Sequence, residues 1–303
     1  MTAKEATHDP AAHATAGRKP EVFNTSVFPT WCPGCGNFGI WGAVKQALVD
    51  LEIEPHDMFY VWGIGCHGNG ADFLKVFGFH ALHGRALPVA TAARLANHSL
   101  KVIVEMGDGD GYGIGGNHFL HTCRRNVDLA VIGHNNQVYG LTTGQTSPTS
   151  EHHYASPSTP HGAIEEPVNP LALALTEGAT FVARGFSGDI PHLTGLVKAA
   201  IEHRGFALLD VFQPCVTFNK KNPYGWFRER VVKLEETGHD PSDKMAALAA
   251  AMGADGEERL PIGVFYREER PTYEDELGAL TAGPLAHQPL GGRDLGPLIA
   301  KYR

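Results

Sequence analysis

The chain has 303 residues, 43% of them hydrophobic, and carries a formal net charge of −8 at pH 7. This length can bury a sizeable core in one large domain or two smaller ones. The negative charge argues against nucleic-acid binding, and no run approaches the roughly 18–20 apolar residues of a membrane span. The first 20 residues lack an apolar signal core and carry Glu5 and Asp9, which transit peptides avoid. We therefore expect a cytoplasmic protein.

Strand-like and helix-like periodicities alternate along the chain. Residues 1–22 form a predicted mobile arm, residues 23–235 the main domain, and residues 236–303 a C-terminal extension that packs on this domain or on a partner subunit. Strands are predicted at 58–62, 101–106, 128–133, 180–183 and 207–212. Helices are predicted after Gly36 and at 88–97, 114–125, 170–177, 190–203 and 242–252.

Apart from the helix at 242–252, the C-terminal extension is predicted to be turn-rich. The long polar segment 141–170 is typical of a lid or a binding loop. Alternating strands and helices predict an α/β fold, with a mostly parallel sheet covered by helices on both faces. Ligands of such sheets bind at the carboxyl ends of the strands. The residues expected together at this rim are Cys66, Asp108, Asn136 and Cys215.

A glycine-rich turn, residues 107–110 (GDGD), ends one predicted strand, and Asn135 and Asn136 end the next. Carboxylate and amide oxygens suit Mg²⁺, which usually shares its ligands with a diphosphate. Residues 111–116 also match the GxGxxG dinucleotide fingerprint. Two uncompensated carboxylates would repel a pyrophosphate bound directly, and the next strand ends in amides rather than in the acid that a dinucleotide requires. A magnesium–diphosphate site is the better interpretation.

The five cysteines are unevenly spaced and do not resemble a disulfide framework. Cys32 and Cys35 form a CxxC pair that could bind zinc, act as a redox dithiol or hold part of an iron–sulfur cluster. Cys123 shares a helical face with Phe119 and Leu120, which indicates a packed thiol. The remaining set is Cys32, Cys35, Cys66 and Cys215; its spacing leaves a [4Fe–4S] cluster and zinc both open.

These motifs together resemble the thiamine-diphosphate-binding β subunit of the 2-oxoacid:ferredoxin oxidoreductases, and most closely the 2-oxoglutarate enzymes. The resemblance covers roughly residues 25–235. Its motifs are WCPGCG (31–36), GIGC (63–66), HGR (83–85), PVAT (88–91), GDGD (107–110), GGNH (115–118), RRN (124–126), NQVYG (136–140), GQTSPT (144–149) and QPCVTFN (213–219).

The resemblance implies a pyrophosphate-type domain with three cofactors. Asp108, Asn136 and the backbone carbonyl of Val138 would hold Mg²⁺, and the four cysteines Cys32, Cys35, Cys66 and Cys215 would hold one [4Fe–4S] cluster. Thiamine diphosphate would be contacted by Cys66, His67, Gly107, Asp108, Gly109, Asp110, Asn136, Val138, Tyr139 and Gly140.

The implied reaction is oxidative decarboxylation of a 2-oxoacid with coenzyme A to an acyl-CoA and CO₂, or its reverse, with electrons exchanged with ferredoxin through the cluster. The protein would position and tune these groups. An activating glutamate is expected from an obligate α subunit, in a complex of the (αβ)₂ type. Candidate contacts for the substrate or cofactor are His67, His83 and Arg85. The favoured substrate is 2-oxoglutarate, giving succinyl-CoA, with pyruvate and branched-chain 2-oxoacids as alternatives.

Two hypotheses from other functional classes remain besides this one. A non-catalytic metal- or cluster-binding scaffold would have no need of the Asp108 and Asn136 pair. A non-redox thiamine decarboxylase or ligase subunit would have no use for four convergent thiolates.

Overall fold

The computed structural model describes residues 17–253, 259–289, 291 and 294–302. Within these ranges the strands are β1 (Met58–Trp62), β2 (Gly78–His80), β3 (Lys101–Gly107), β4 (Leu129–Asn135), β5 (Val138–Tyr139), β6 (Gln145–Thr146), β7 (Phe181–Phe186), β8 (Phe206–Phe212), β9 (Val231–Lys233) and β10 (Leu260–Arg267). The α-helices of the same ranges are α1 (Asn37–Asp50), α2 (Ala86–Ala96), α3 (Gly116–Arg125), α4 (Pro170–Thr176), α5 (Ile190–Glu202), α6 (Tyr224–Arg228), α7 (Lys244–Ala251), α8 (Tyr273–Glu276) and α9 (Gly296–Ala300).

Eight of these strands form one sheet in the order β2-β1-β3-β4-β8-β7-β10-β9. Neighbouring strands from β2 to β7 run parallel, β10 runs antiparallel to β7, and β9 runs parallel to β10. The predicted α/β class with a mostly parallel sheet is therefore confirmed. Strands β5 and β6 form a separate two-stranded pair.

Helices cover both faces of the sheet because the buried strands are apolar on both sides. In β3, Val102 and Val104 pack on the face that also buries residues of α2, α3, α4 and α7. Ile103, between them, points to the opposite face, which is covered by α1 and α5. This alternation follows from the two-residue period of a strand. The sheet is thus held rigidly between two cores, and its rim is a firm platform for a site.

The structure corrects several predicted elements. The extension contains β10, which joins the main sheet, so the prediction that the extension is turn-rich was wrong for Leu260–Arg267. Helix α2 begins at Ala86, before Pro88. A π-helical turn, Asp108–Ile114, precedes α3, which starts at Gly116 rather than at 114. These differences fall mostly at element ends, where sequence patterns are least informative.

The two ends of the chain bear on the domain prediction. Residues 1–16 of the predicted arm lie outside the described residues, whereas Pro20–Phe23 forms a short 3-10 turn that buries Phe23. The boundary predicted at residue 235 stays a prediction. Among the helices of the described ranges, none combines the length and the apolar character that crossing a membrane requires.

Candidate functional site

The carboxyl ends of four adjacent parallel strands, β1, β3, β4 and β8, meet at one rim of the sheet. The four residues predicted to share this rim follow those strand ends: Cys66, Asp108, Asn136 and Cys215. Two cavities open there. We call the first the rim cavity; residues that line it include Asp108, Asp110, Asn136 and Val138. We call the second the cysteine cavity; Cys32, Cys35, Cys66 and Cys215 all line it.

Asp108 is held by two hydroxyl groups from the loop after β6. Ser147 Oγ donates to Asp108 Oδ2 at 2.6 Å, and Thr149 Oγ1 donates to the same oxygen at 2.7 Å. The carboxylate is 2% exposed, and burial raises its pKa to about 6, although the two hydroxyl groups work in the opposite direction. Asp108 is therefore a buried, oriented acid that gains from a cation beside it.

Asp110 is the second acid of the turn and is equally buried. Its Oδ1 accepts hydrogen bonds from the backbone of Gly84 at 2.7 Å and of Ile64 at 3.2 Å, and lies 2.8 Å from His83 Nδ1. Its Oδ2 is buried without a hydrogen-bond partner. A β-carbon at Gly63 would lie 1.8 Å from Oδ2, so glycine is required where the loop after β1 crosses this acid. The orphaned oxygen is a second place where a cation or a donor would fit.

Asn136 and Val138 are brought together by a tight turn after β4. Gln137, between them, adopts a φ of +62°, and Asn136 Oδ1 accepts a hydrogen bond from Val138 N at 3.1 Å. Tyr139 extends back over the glycine-rich turn, where its hydroxyl donates to Gly109 O at 3.2 Å. The turn therefore presents an amide, a backbone segment and an aromatic ring to the same cavity as Asp108.

The three predicted substrate or cofactor contacts do not share one location. His67 and His83 line the rim cavity, but Arg85 is exposed at the start of α2 and does not line it. His67 is buried, its Nε2 has no hydrogen-bond partner, and its ring lies 5.3 Å from that of His134. Burial first, and then the neighbouring His134, lower the pKa of His67 well below its ordinary value. A neutral imidazole therefore faces this cavity.

The cysteine cavity brings together thiols from three distant segments. A β-carbon at Gly140 would lie 3.4 Å from Cys66 Sγ and 3.8 Å from Cys215 Sγ, so both sulfurs lie against one glycine. Burial, together with the charges of the other three thiols, raises the pKa of Cys35 to about 12; burial, Cys215 and Cys32 raise the pKa of Cys66 to about 11. Crowded thiols of this kind ionise readily only when positive charge lies among them.

Cys123 is a fully buried core residue of α3, as its helical spacing predicted. In the described part of the chain, no three His, Cys, Asp or Glu side chains are arranged around a single metal ion.

A common wall separates the two cavities. The residues that line both are Cys66, Asn136, Gly140, Leu141 and Gln213. Gln213 contacts both sides: its Oε1 accepts from Asn136 Nδ2 at 2.9 Å, and its Nε2 donates to Cys35 Sγ at 3.3 Å. A group bound to Asp108 and Asn136 would thus be one side-chain layer away from the four thiols.

Several of these functional positions were missing from the predicted site. Ser147, Thr149, His134 and Gln213 contact the predicted residues, and these contacts join segments as far as 178 positions apart, as between Gln213 and Cys35. The sequence held a partial signal for three of them. Ser147 and Thr149 lie in the family motif GQTSPT, and Gln213 is the first residue of the family motif QPCVTFN.

Comparison with known proteins agrees with this geometry. Residues 63–211 match the family model described as "Thiamine pyrophosphate enzyme, C-terminal TPP binding domain". Residues 215–282 match a second model, which describes the C-terminal part of the "Pyruvate ferredoxin oxidoreductase beta subunit". The first match includes every residue that lines the rim cavity except Gln213, and it defines the class, a thiamine diphosphate-binding domain. It supports the predicted thiamine diphosphate.

Relatives and a solved structure give the family. The chain is 44% identical over 276 residues to the "2-oxoacid:ferredoxin oxidoreductase subunit beta" of Sulfolobus sp, covering 88% of this chain and 90% of the relative. It is 42% identical over 324 residues to the "2-oxoglutarate oxidoreductase subunit KorB" of Mycobacterium tuberculosis, covering 93% and 87%. The solved 2-oxoglutarate:ferredoxin oxidoreductase from Magnetococcus marinus, with 2-oxoglutarate, coenzyme A and succinyl-CoA bound, superposes with a TM-score of 0.87 at 38% identity, covering 95% and 97%.

The chain belongs to the β subunits of the 2-oxoacid:ferredoxin oxidoreductases. The resemblance drawn from its motifs is therefore confirmed, as is the prediction that it is part of an oxidoreductase.

Proposed function

We propose that this β subunit binds Mg²⁺, thiamine diphosphate and one [4Fe–4S] cluster and catalyses oxidation of 2-oxoglutarate with coenzyme A to succinyl-CoA and CO₂, or the reverse. Ferredoxin would exchange electrons with the cluster. The observation that carries this proposal is the common wall, because it puts a diphosphate-type acid site and four convergent thiols side by side.

The acid side of the wall fits a magnesium–diphosphate group. Asp108, Asn136 and the carbonyl of Val138 would hold the ion, since hard oxygen ligands and shared phosphate oxygens are what Mg²⁺ takes. The two hydroxyl groups on Asp108 would keep that ligand oriented, a role in which outer partners are important. Gly107, Gly109, Asp110, Tyr139 and Gly140 complete the walls around the cofactor.

Thiamine diphosphate, when bound, supplies the carbanion chemistry that splits the 2-oxoacid. This chain's residues would bind and orient it. The neutral imidazole of His67 can accept or donate a single hydrogen bond at the cavity wall without placing a positive charge beside the cofactor. His83, whose Nδ1 lies 2.8 Å from the buried Asp110 Oδ1, is proposed as a hydrogen-bonding contact for the substrate at the cavity wall. Arg85, exposed outside the cavity, is proposed as a contact for the outer end of the substrate.

The thiol side of the wall fits an iron–sulfur cluster. Cys32, Cys35, Cys66 and Cys215 would hold it, because a four-iron cluster takes four thiolates and spreads them farther apart than a single ion does. Positive iron would offset the mutual repulsion that contributes to the raised pKa values of Cys35 and Cys66. Zinc is the competing occupant of the cysteine cavity.

An α subunit and a particular 2-oxoacid complete the proposal. The relatives are named as β subunits, and we infer an α subunit that supplies the glutamate for the aminopyrimidine ring in an (αβ)₂ complex, which works in the cytoplasm. The favoured substrate rests on the relatives named for 2-oxoglutarate and on the structure solved with 2-oxoglutarate. The competing substrates are pyruvate and branched-chain 2-oxoacids, since relatives named only for 2-oxoacids are as similar.

A substrate assay tests the proposed function. The αβ complex, purified without oxygen and supplied with Mg²⁺, thiamine diphosphate and coenzyme A, should reduce ferredoxin with 2-oxoglutarate at a kcat/KM at least about tenfold above that with pyruvate; such a ratio corresponds to about 1.4 kcal/mol. Equal or greater activity with pyruvate or 2-oxoisovalerate would overturn the substrate assignment. Release of CO₂ without ferredoxin reduction would indicate a non-redox thiamine enzyme instead.

A further inference from the structure

Gln213 is the first residue after β8, and its side chain stands in the wall between the rim cavity and the cysteine cavity. It is 1% exposed, so its amide is almost completely removed from solvent. A buried amide has to satisfy its donors and its acceptor within the protein. The partners it uses here come from both sides of the wall.

The amide of Gln213 bridges a predicted magnesium ligand and a predicted cluster ligand. Its Oε1 accepts from Asn136 Nδ2 at 2.9 Å. Its Nε2 donates to Pro214 O at 3.2 Å and to Cys35 Sγ at 3.3 Å. The reversed amide would place an oxygen against the carbonyl of Pro214, which can only accept. The orientation with the N–H groups toward the sulfur is therefore the one that the surroundings satisfy.

The surrounding backbone holds this bridge in place. Gln213 N donates to Asn135 O at 2.9 Å, and Gly36 N donates to Pro214 O at 3.2 Å. A β-carbon at Gly36 would lie 2.8 Å from Gln213 Cγ, so the segment after Cys35 packs directly on the glutamine stem. This close packing restricts the movement of the side chain.

We propose that Gln213 is a positioning residue that couples the occupancy of the magnesium–diphosphate site to the reduction potential of the cysteine-bound cluster. This inference rests on the proposed function. A cation bound to Asn136 Oδ1 would polarise the amide of Asn136 and make its Nδ2 a stronger donor to Gln213. Hydrogen bonds in a chain polarise one another, so the Nε2–H to Cys35 Sγ contact would strengthen in turn. Donors to a ligating sulfur stabilise the reduced, more negative cluster.

The coupling has a direction. Loading with Mg²⁺ and thiamine diphosphate raises the cluster potential, which makes the cluster a better electron acceptor when the cofactor is present. Gln213→Leu removes all three side-chain hydrogen bonds at similar volume, and Gln213→Glu keeps the acceptor for Asn136 but loses the donors to Cys35 Sγ and to Pro214 O. Gln288→Leu is the matched control, since Gln288 donates only to backbone carbonyls in the extension.

The test is an EPR-monitored redox titration of the αβ complex, with and without Mg²⁺ and thiamine diphosphate, together with iron content. The wild type and Gln288→Leu are expected to shift to a higher potential on loading. Gln213→Leu and Gln213→Glu are expected to start from a lower potential, and Gln213→Leu is expected to lose the shift. A merely structural role for Gln213 would change iron content and leave the shift intact in the clusters that do assemble.

Three outcomes with the variants would overturn the proposal. The first is a cluster potential that is unchanged in both variants, and the second is a full shift on loading in Gln213→Leu. The third is loss of iron from both variants in a folded protein, because Gln213 would then be needed to assemble the cluster and would not set its potential. A wild-type complex without iron or thiamine diphosphate would instead refute the proposed function. A wild type that holds both and shows no shift on loading would refute the coupling alone.

Discussion

Gly109 lies against the ring of Tyr139, and replacing it with alanine would place a methyl group where the ring now is. A β-carbon at Gly109 would lie 2.2 Å from Tyr139 Cε1, 2.6 Å from Cζ and 2.8 Å from Cδ1. Carbon atoms in contact sit about 3.5–4.0 Å apart, so the ring must move by more than about 1 Å. The φ of Gly109 is not in the left-handed region, so the effect is steric and not a backbone conflict.

The expected cost has two parts. Overpacking of this kind destabilises a protein by about 1–3 kcal/mol. The displaced ring also moves within the rim cavity, which both residues line, and a loss of about 1.4–2.8 kcal/mol of contacts to the cofactor would weaken its binding about 10- to 100-fold. We therefore expect Gly109→Ala to fold with a lowered Tm and to bind thiamine diphosphate about 10- to 100-fold more weakly by isothermal titration in the presence of Mg²⁺.

Two further variants provide a control and a rescue for this prediction. Gly116→Ala is the matched control, because nothing lies within 4 Å of a β-carbon there, and it should bind the cofactor normally. Tyr139→Ala in the Gly109→Ala background removes the clash and should recover part of the lost stability, as a double-mutant cycle would show. The steric reasoning is refuted by Gly109→Ala binding the cofactor as tightly as Gly116→Ala, or by a double mutant that recovers nothing.

The buried acid, the thiols and a buried histidine each give one more prediction. Asp108→Ala should abolish retention of thiamine diphosphate through gel filtration; normal retention of cofactor and magnesium would overturn the ligand assignment. Cys35→Ser should lose iron, measured by colorimetric assay, whereas Cys123→Ala should keep it; equal iron in both would disprove the cluster set. Burial, then Arg267, lower the pKa of His203 from 6.5 to about 4. As the pH falls, the His203 imidazole of the unfolded chain therefore takes up a proton before that of the folded protein does. The free energy of unfolding decreases between pH 6.5 and 4, and the decrease is about 2 kcal/mol at pH 5. Urea unfolding at pH 7.5 and 5 should show a loss that is about 2 kcal/mol smaller in His203→Gln than in the wild type; equal losses would refute the role of His203.

The central part of the fold could be predicted because its signals are local. Each buried parallel strand of the main sheet, β1, β3, β4, β7 and β8, is a short apolar run, and each major helix shows three- and four-residue spacing. The strands β2 and β10 were missed for different reasons. Strand β2 has three residues, all exposed. Strand β10 contains Pro261 and Gly263, which argue against a strand, and its pairing with β7 joins segments about 80 residues apart.

The sequence was enough to predict the residues whose side chains are candidate ligands of a metal ion or a cluster. Strand-end placement was enough to bring Asp108, Asn136, Cys66 and Cys215 to one rim, because parallel strands share a carboxyl edge. The supporting contacts were not predictable, since hydroxyl and amide side chains such as Ser147 and Gln213 are common and obtain their roles only from long-range packing. The exposure of Arg85, the last residue of the HGR motif whose His83 lines the rim cavity, likewise depends on how α2 begins.

The central proposal is that thiamine diphosphate and a four-iron cluster are held on the two sides of one wall. The most direct measurement is the cofactor content of the αβ complex purified under anaerobic conditions, with its visible and EPR spectra. We predict about four irons and one thiamine diphosphate per β chain, and a visible absorbance that bleaches on reduction. Zinc in place of iron, or a complex that binds no thiamine diphosphate in the presence of Mg²⁺, would contradict it.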